Sequence, residues 1–575
     1  MGDKKHEFLS TKPYQLILAL GLIFFFTGLA VLPSQDPDLW WHLKVGELIE
    51  KQRTIPRTDL FAYPSSEQPF IAHGWLSEVL FYNFYRLAGW GGVFWLKALI
   101  IAATLAVLFL IMVRRGGSFL LATLFLCLTI PVSMIGWEIR PQILGYFCFS
   151  LLLLWLDSRR QEEKTPFPLP VLFFLWANLH ASVVLGLGIL GLYTLASAGE
   201  NFKNREKESP LFDTRTKGLL KIFIVSALAA LINPYHYQVL LHPLLHTTSE
   251  VFPRMLSEWQ PPNWSSAPLF FALLGATLGW SLLQRRKLPW GEGLMLLTLA
   301  LLGITALRHI PYFALAAGPF WFAARGREAE PEEQKKLKAD NPRLAYLLAA
   351  IFLGVSSMLP WWGRSWQALN EEYRWPQGAA TFVQRQDLPG NMYNFFDWGG
   401  YLTYRLWPRQ KVFILGISTD QEVFMDAFAV LGGGEKALKT LDRYEIDYII
   451  TPALFSSGGM LPYIPTLYLD PQWVLIYQDR QSAILLRNRL PYQGLAARYR
   501  LPKERLITMA REQAEALLDQ NPGNCRARLS KALSLAMGGE RTAALKEVET
   551  VLGQHPSREI LAEAQFMQRK LKSHE

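Results

Sequence analysis

Cysteine is nearly absent from this chain: three residues in 575, of which Cys127 and Cys148 lie inside apolar runs and Cys525 has no obvious partner. A disulfide scaffold is therefore excluded. Charge is scarce as well. Asp, Glu, Lys and Arg make up 18% of the residues, too few for a disordered chain or for a soluble enzyme of average composition, where they reach roughly a quarter. No phosphate loop, nucleophile elbow or HExxH helix occurs, so nucleotide hydrolysis, serine-hydrolase chemistry and zinc-protease chemistry have no anchor. The net charge of +10 is not gathered on one face, which argues against a nucleic-acid partner.

What the chain has in abundance is apolar surface, with 51% hydrophobic and 13% aromatic residues. From Tyr14 to Leu359 apolar runs alternate with short basic breaks, the pattern of a polytopic α-helical membrane domain. Eleven runs fall near 14–33, 93–113, 118–135, 143–157, 168–179, 181–198, 218–232, 269–284, 293–307, 310–324 and 343–359. With the amino terminus inside, the inner segments hold 22 Lys and Arg and the outer ones 8, so the positive-inside rule favours that orientation. The stretches 168–198 and 293–324 read as tight hairpins, with Asn178 and His180 at one apex and Arg308 and His309 at the other. The first run follows a basic tail and lacks a small-residue cleavage pattern, so it reads as an uncleaved signal anchor.

Three parts result: a membrane domain over 1–359 with its first external loop at 34–92, a small external α/β domain over 360–495, and a helical tail over 496–575. In the α/β part, Lys411 to Leu415, Asp447 to Thr451, Trp473 to Tyr477 and Ala483 to Arg487 read as strands. In the tail, Pro522 and Pro556 stand 34 residues apart in DQNPGN and GQHPSR, the tetratricopeptide period, which predicts a helical hairpin leaning on the sheet. GLGILGL at 186–192 lies in an apolar run and reads as close helix packing.

Sorted by side, most polar residues of the membrane part fall on the outer face, where a cluster of ionisable groups at membrane depth needs a compensating use. In DPDLWWHLKVG the carboxylates of Asp36 and Asp38 emerge directly after the first run. Residues 38–51 read as an amphipathic helix lying on the membrane, and a second runs from Trp75 to Leu87. A carboxylate held there can deprotonate a hydroxyl or bind a divalent ion beside a lipid phosphate, although either Asp could simply cap the helix. Arg140, His180, Arg308 and His309 sit at helix ends where they could pair with phosphate oxygens. His242 and His246 have metal-ligand spacing without a third ligand.

This arrangement resembles the C-type (GT-C fold) membrane glycosyltransferases and, among them, the catalytic subunit of oligosaccharyltransferase. DPDLWWHLKVG is similar to that family's D-P-W-F-N-Y-R segment with one residue inserted. Ser257 to Trp264 (SEWQPPNW) is similar to its S-V-S-E-H-Q-P loop, and Phe395 to Tyr401 (FFDWGGY) to its W-W-D-Y-G motif. Glu138-Ile-Arg140 stands where the family has an acidic pair.

The resemblance implies an inverting glycosyltransferase that moves a sugar from a polyprenyl-phosphate-linked donor to an extracytoplasmic acceptor at the cytoplasmic membrane. Asp38 and Asp36 are its implied catalytic carboxylates, Asp38 as general base or, with metal, the group that activates the acceptor. Asp36, Glu138 and Glu258 are implied ligands of a divalent cation, Mg or Mn. Arg140, His180, Arg308 and His309 would meet the donor phosphate, and Glu258, Asp397 and Trp398 the acceptor. The alternative is a non-catalytic scaffold of cell-envelope glycan machinery that recruits a protein partner through the tetratricopeptide-like tail. A transporter is disfavoured, because the charges gather at one face instead of lining a path.

Overall fold

The computed structural model describes residues 36–66, 68–160, 165–203, 213–247, 251, 256–284, 288–323, 343–348, 350–351, 375–417 and 420–573, together with residues 13–15, 17–18, 21–22, 25 and 28 of the first apolar run. The chain separates into two compact units, Met1–Pro56 with Ile71–Trp366, and Arg57–Phe70 with Gln367–Glu575. Residues 57–70, which belong to the first external loop in the sequence, thus group with the carboxy-terminal unit.

In the first unit the described helices are α1 (Leu39–Gln52), α2 (Trp75–Arg114), α3 (Phe119–Ser133), α4 (Gln142–Arg160), α5 (Leu169–Leu179), α6 (Val183–Lys203), α7 (Thr214–Ala230), α8 (Gln238–Thr247), α9 (Pro268–Leu283), α10 (Trp290–Thr305) and α11 (Ile310–Ala323). Among the described residues three segments are long and apolar enough to cross a membrane: Trp75–Arg114, Phe119–Gly136 and Val183–Phe202. Three further apolar helices, α5, α9 and α10, are shorter: α10 at 16 residues is about 24 Å long against a hydrocarbon core of about 30 Å, so the count of eleven spans is not confirmed. The runs at 14–33 and 343–359 lie mostly outside the described residues.

Two glycines decide how the start of the unit packs. Gly89, at φ +58°, breaks α2 just after Leu87, so the helix expected from Trp75 ends where it was expected and a second helical stretch follows. A Cβ at Gly46 would stand 2.1 Å from the carbonyl oxygen of Glu78, so only glycine lets α1 lie this close to α2. The consequence corrects the picture of an amphipathic helix on the membrane surface. Leu39 to Gly46 of α1 are all buried, His42 and Lys44 included, because the helix is packed into the unit.

The break expected near His180 is present, since α5 ends there in extended backbone. It is not a tight hairpin: α5 packs mainly on α7 and only slightly on α6. Gly186 of α6 abuts the Trp176 ring, a close helix approach of the kind read from GLGILGL. By contrast α10 and α11 do pack on each other across the turn Leu307–His309. Helix α11 is the buried centre of the unit, and its Ala314, Ala316, Ala317 and Gly318 give neighbouring helices the small surface that membrane packing favours.

In the second unit a four-stranded sheet has the order β1-β2-β4-β3, with β1 (Asn391–Asn394) parallel to β2 (Ile446–Thr451), and β4 (Ala483–Arg487) antiparallel to both β2 and β3 (Trp473–Gln478). Every residue of the two central strands is buried. Lys411 to Leu415, expected as a strand, is not one. The backbone of Val412 pairs with Phe61 and Tyr63 in an isolated bridge, and the Asn394 side chain serves Phe413 and Ile414, so a single bridge and a side chain replace a ladder. The tail holds four helices where one hairpin was expected: Glu504–Gln520, Cys525–Met537, Arg541–Gly553 and Arg558–Lys572. Pro522 and Pro556 lie in the turns that flank the middle pair, whose core is Leu529, Ala532, Val548 and Val551.

Candidate functional site

Three separate segments of the first unit meet at one guanidinium. The turn after α3 carries Glu138, Ile139 and Arg140, and burial of Ile139 holds it against the helices while Glu138 and Arg140 stay available. Arg140 binds Asp36 through both carboxylate oxygens, Nε to Oδ2 at 2.6 Å and Nη2 to Oδ1 at 2.8 Å. Its Nη1 reaches Glu258 at 2.9 Å and Asp38 at 3.2 Å, and its Nε lies 3.3 Å from Glu138. Such charge-assisted, bidentate pairing is the strong form of the carboxylate bond.

A second arginine joins from another loop. The amide of Leu307 donates to the carbonyl of Gln260, which ties the turn at Ser257–Trp259 to that at Leu307–His309. Arg308 is thereby brought to 3.4 Å from Glu258, and its guanidinium lies over the Trp259 ring at 4.2 Å from the centroid. The long contact to Glu258 and the open face leave this cation able to accept a further anion.

Neither Asp36 nor Asp38 acts as a helix cap. Asp38 occupies the N-cap position of α1 without a capping bond from its side chain, and its own amide donates to Asp36 Oδ1 at 3.0 Å. Burial raises the Asp38 pKa to about 6, with Arg140 pulling it down and Asp36 pushing it up. Burial likewise raises Glu138 to about 7, again opposed by Arg140. In Glu258 the effect of burial is outweighed by Arg140 and Arg308, and its pKa is lowered. A base poised near neutrality, in Asp38, therefore stands beside fixed cations.

The remaining expected residues are placed differently. Arg140 spends its donors on carboxylates and has little left for a phosphate, because the acids surround it. His180 accepts from the Ser182 amide through Nδ1, and His309 contacts the Leu302 carbonyl. Burial and then Arg308 lower their pKa values to about 3 and about 4, so both are held neutral. Asp397 and Trp398 belong to the second unit, Asp397 half-buried and Trp398 buried against Phe395 in the turn Phe396–Trp398. His242 lies beside His73, with ring centroids 5.3 Å apart, and the side chain of His246 lies outside the described residues.

One pair of polar residues was not singled out from the sequence. His42 Nδ1 lies 2.9 Å from Glu78 Oε1, both groups buried, between helices 36 residues apart in the chain. Burial, followed by Arg140, His73 and His180, holds His42 well below its usual pKa, so it is neutral. The signal was available in the close helix approach that Gly46 permits.

The carboxylates do not present themselves as metal ligands. Among the described residues no three His, Cys, Asp or Glu side chains are grouped to hold a metal ion, because the acids face Arg140 and not a common empty point.

With this geometry in view, the fold is similar to that of a solved oligosaccharyltransferase. The crystal structure of the Archaeoglobus fulgidus oligosaccharyltransferase in the apo form shares it with a TM-score of 0.53 at 11% identity, covering 92% of this chain and 87% of that one. Identity this low establishes the fold alone. No protein-family profile matches the sequence, and no curated protein sequence matches it.

Proposed function

We propose that this chain is a membrane glycosyltransferase that moves a sugar from a polyprenyl-phosphate-linked donor to an acceptor outside the cytoplasmic membrane. The observation that carries the reading is the gathering of Asp36, Asp38, Glu138 and Glu258 on Arg140, with Arg308 alongside. The shared fold with an oligosaccharyltransferase and the apolar helices support it. The excess of Lys and Arg in alternate loops favours a cytosolic amino terminus and an external second unit.

In this reading Asp38 takes the proton from an acceptor hydroxyl as the new glycosidic bond forms to the anomeric carbon and the bond to the phosphate oxygen breaks. Ionised at neutral pH and partly exposed, it is the carboxylate of the cluster best suited to that step. Arg308 stabilises the charge that develops on the leaving phosphate, with neutral His309 and His180 as further hydrogen-bond donors. Glu258 shapes the acceptor side next to Asp38, and Asp397 is the polar residue of the Phe396–Trp398 turn left to contribute to acceptor choice. The four-helix tail offers a surface for a protein partner.

The test is transfer from a labelled polyprenyl-phosphate sugar by the full chain in proteoliposomes. Asp38→Asn is expected to fold and to abolish transfer. Transfer at the wild-type rate by folded Asp38→Asn would end this reading.

A further inference from the structure

We infer that Arg140 is the resident cation of this site, a fixed guanidinium that takes the place of a divalent ion and holds Asp38 in position. The chemistry rests on the transferase reading, but the cation assignment stands on geometry. Oxygens of four carboxylates lie 2.6 to 3.3 Å from Arg140 nitrogens. A divalent metal instead requires oxygens converging within about 2.0–2.6 Å of a single point. Here the oxygens are spread around a planar fork, with both oxygens of Asp36 on one edge and Glu258 and Asp38 sharing Nη1.

The placement of Arg140 is built into the chain. Its amide donates to the Glu138 carbonyl at 2.9 Å, and its own carbonyl accepts from Ile143 at the start of α4. With Ile139 fully buried between the two polar residues, the turn projects Glu138 and Arg140 to the same cluster. The side chain of Asp36 is completely buried, and Arg140 supplies its counter-charge on both oxygens. A second cation at this point would face a guanidinium that cannot deprotonate and leave.

Arg140 is thus a positioning residue: it sets the orientation of Asp38 and does not itself meet the reacting atoms.

Manganese binding to the full chain in detergent, followed by the electron paramagnetic resonance signal of free Mn2+, tests this directly. Wild type is expected to show no stoichiometric site, and its thermal midpoint is expected to be unmoved by Mn2+ or EDTA. Arg140→Gln is expected to gain one Mn2+ site, which the additional change Asp36→Asn removes. A stoichiometric Mn2+ site in wild type that disappears in Asp36→Asn would overturn the inference, as would folded Arg140→Gln without any Mn2+ site. If Arg140→Gln does not fold, the wild-type titration with its Asp36→Asn control decides alone.

Where transfer can be measured, Arg140→Lys is expected to restore part of the rate lost in Arg140→Gln and to keep the acid limb of the pH profile near that of wild type. Loss of the transferase reading would leave these Mn2+ results unchanged. A wild-type metal site would remove the inference and leave the transferase reading intact.

Discussion

The first unit contains two arginine-carboxylate clusters built from the same chemistry and put together in opposite ways. In one, Arg115 binds Asp157 at 2.7 Å and Glu292 at 3.0 Å, and Arg160 binds the other oxygen of Glu292 at 2.8 Å. Arg114 stands 3.6 Å from Asp157, and the carbonyls of Pro319 and Ala323 take the spare donors of Arg115 and Arg160. Three bases thus serve two fully buried acids. In the other cluster two bases serve four acids, and the Glu258 and Glu138 side chains remain 35% and 43% exposed. The closed network clamps helix ends, whereas the open one has unspent charge and a way in. Ion pairing alone does not mark a site; an excess of one sign beside an accessible face does.

Breaking the closed cluster should have the largest effect. Arg115→Leu removes the short ion pair of buried Asp157 and one of the two of buried Glu292, at a cost of about 3–5 kcal/mol, and is expected to lower the unfolding midpoint sharply or prevent accumulation of folded protein. Asp38→Asn relieves an acid excess, so the midpoint should hold or rise slightly while transfer falls by about 10²–10⁴-fold. Equal destabilisation by the two changes would erase the distinction between clamp and site. Arg308→Ala removes a charge-assisted bond worth about 1.5–3 kcal/mol, so donor affinity is expected to drop roughly ten- to a hundredfold, with the midpoint unchanged.

The smallest effect sharpens the comparison through pH. Burial raises Asp38 to about 6, so as pH falls through that value the carboxylate gains a proton and can no longer accept one. The kcat/KM for transfer should then fall about tenfold per unit below that point, and remain level above it until another group titrates. A profile that stays flat down to pH about 4.5 would remove Asp38 as the base.

Local pattern made much of the architecture legible. Apolar periodicity located the helices of the first unit, and the polar residues at His180 and Arg308 marked real breaks. The runs 447–451, 473–477 and 483–487 read as strands because their buried, β-favouring residues leave little else for them to be. The strand Asn391–Asn394 was not legible, since a four-residue segment with asparagine at both ends looks like a turn. Its pairing comes from β2, 55 residues further on, and its Asn394 side chain occupies the backbone groups that would have made 411–415 a strand.

The acids of the site were legible one at a time, because charge at the end of an apolar run is costly wherever it occurs. Their common partner was not. Arg140 lies 104 residues from Asp36 and 118 from Glu258, and from spacing alone it reads as a phosphate ligand as readily as a structural hub.

Composition and periodicity were enough to show a chain of apolar helices followed by a mixed α/β segment and a helical tail, since hydropathy and helical spacing are properties of neighbouring residues. Which carboxylates share a cation, which arginine keeps a free face, and whether α1 lies on a surface or inside the unit depended on contacts between distant segments. Those contacts follow from shape, from Gly46 against Glu78 and from Leu307 against Gln260, and no linear pattern encodes them.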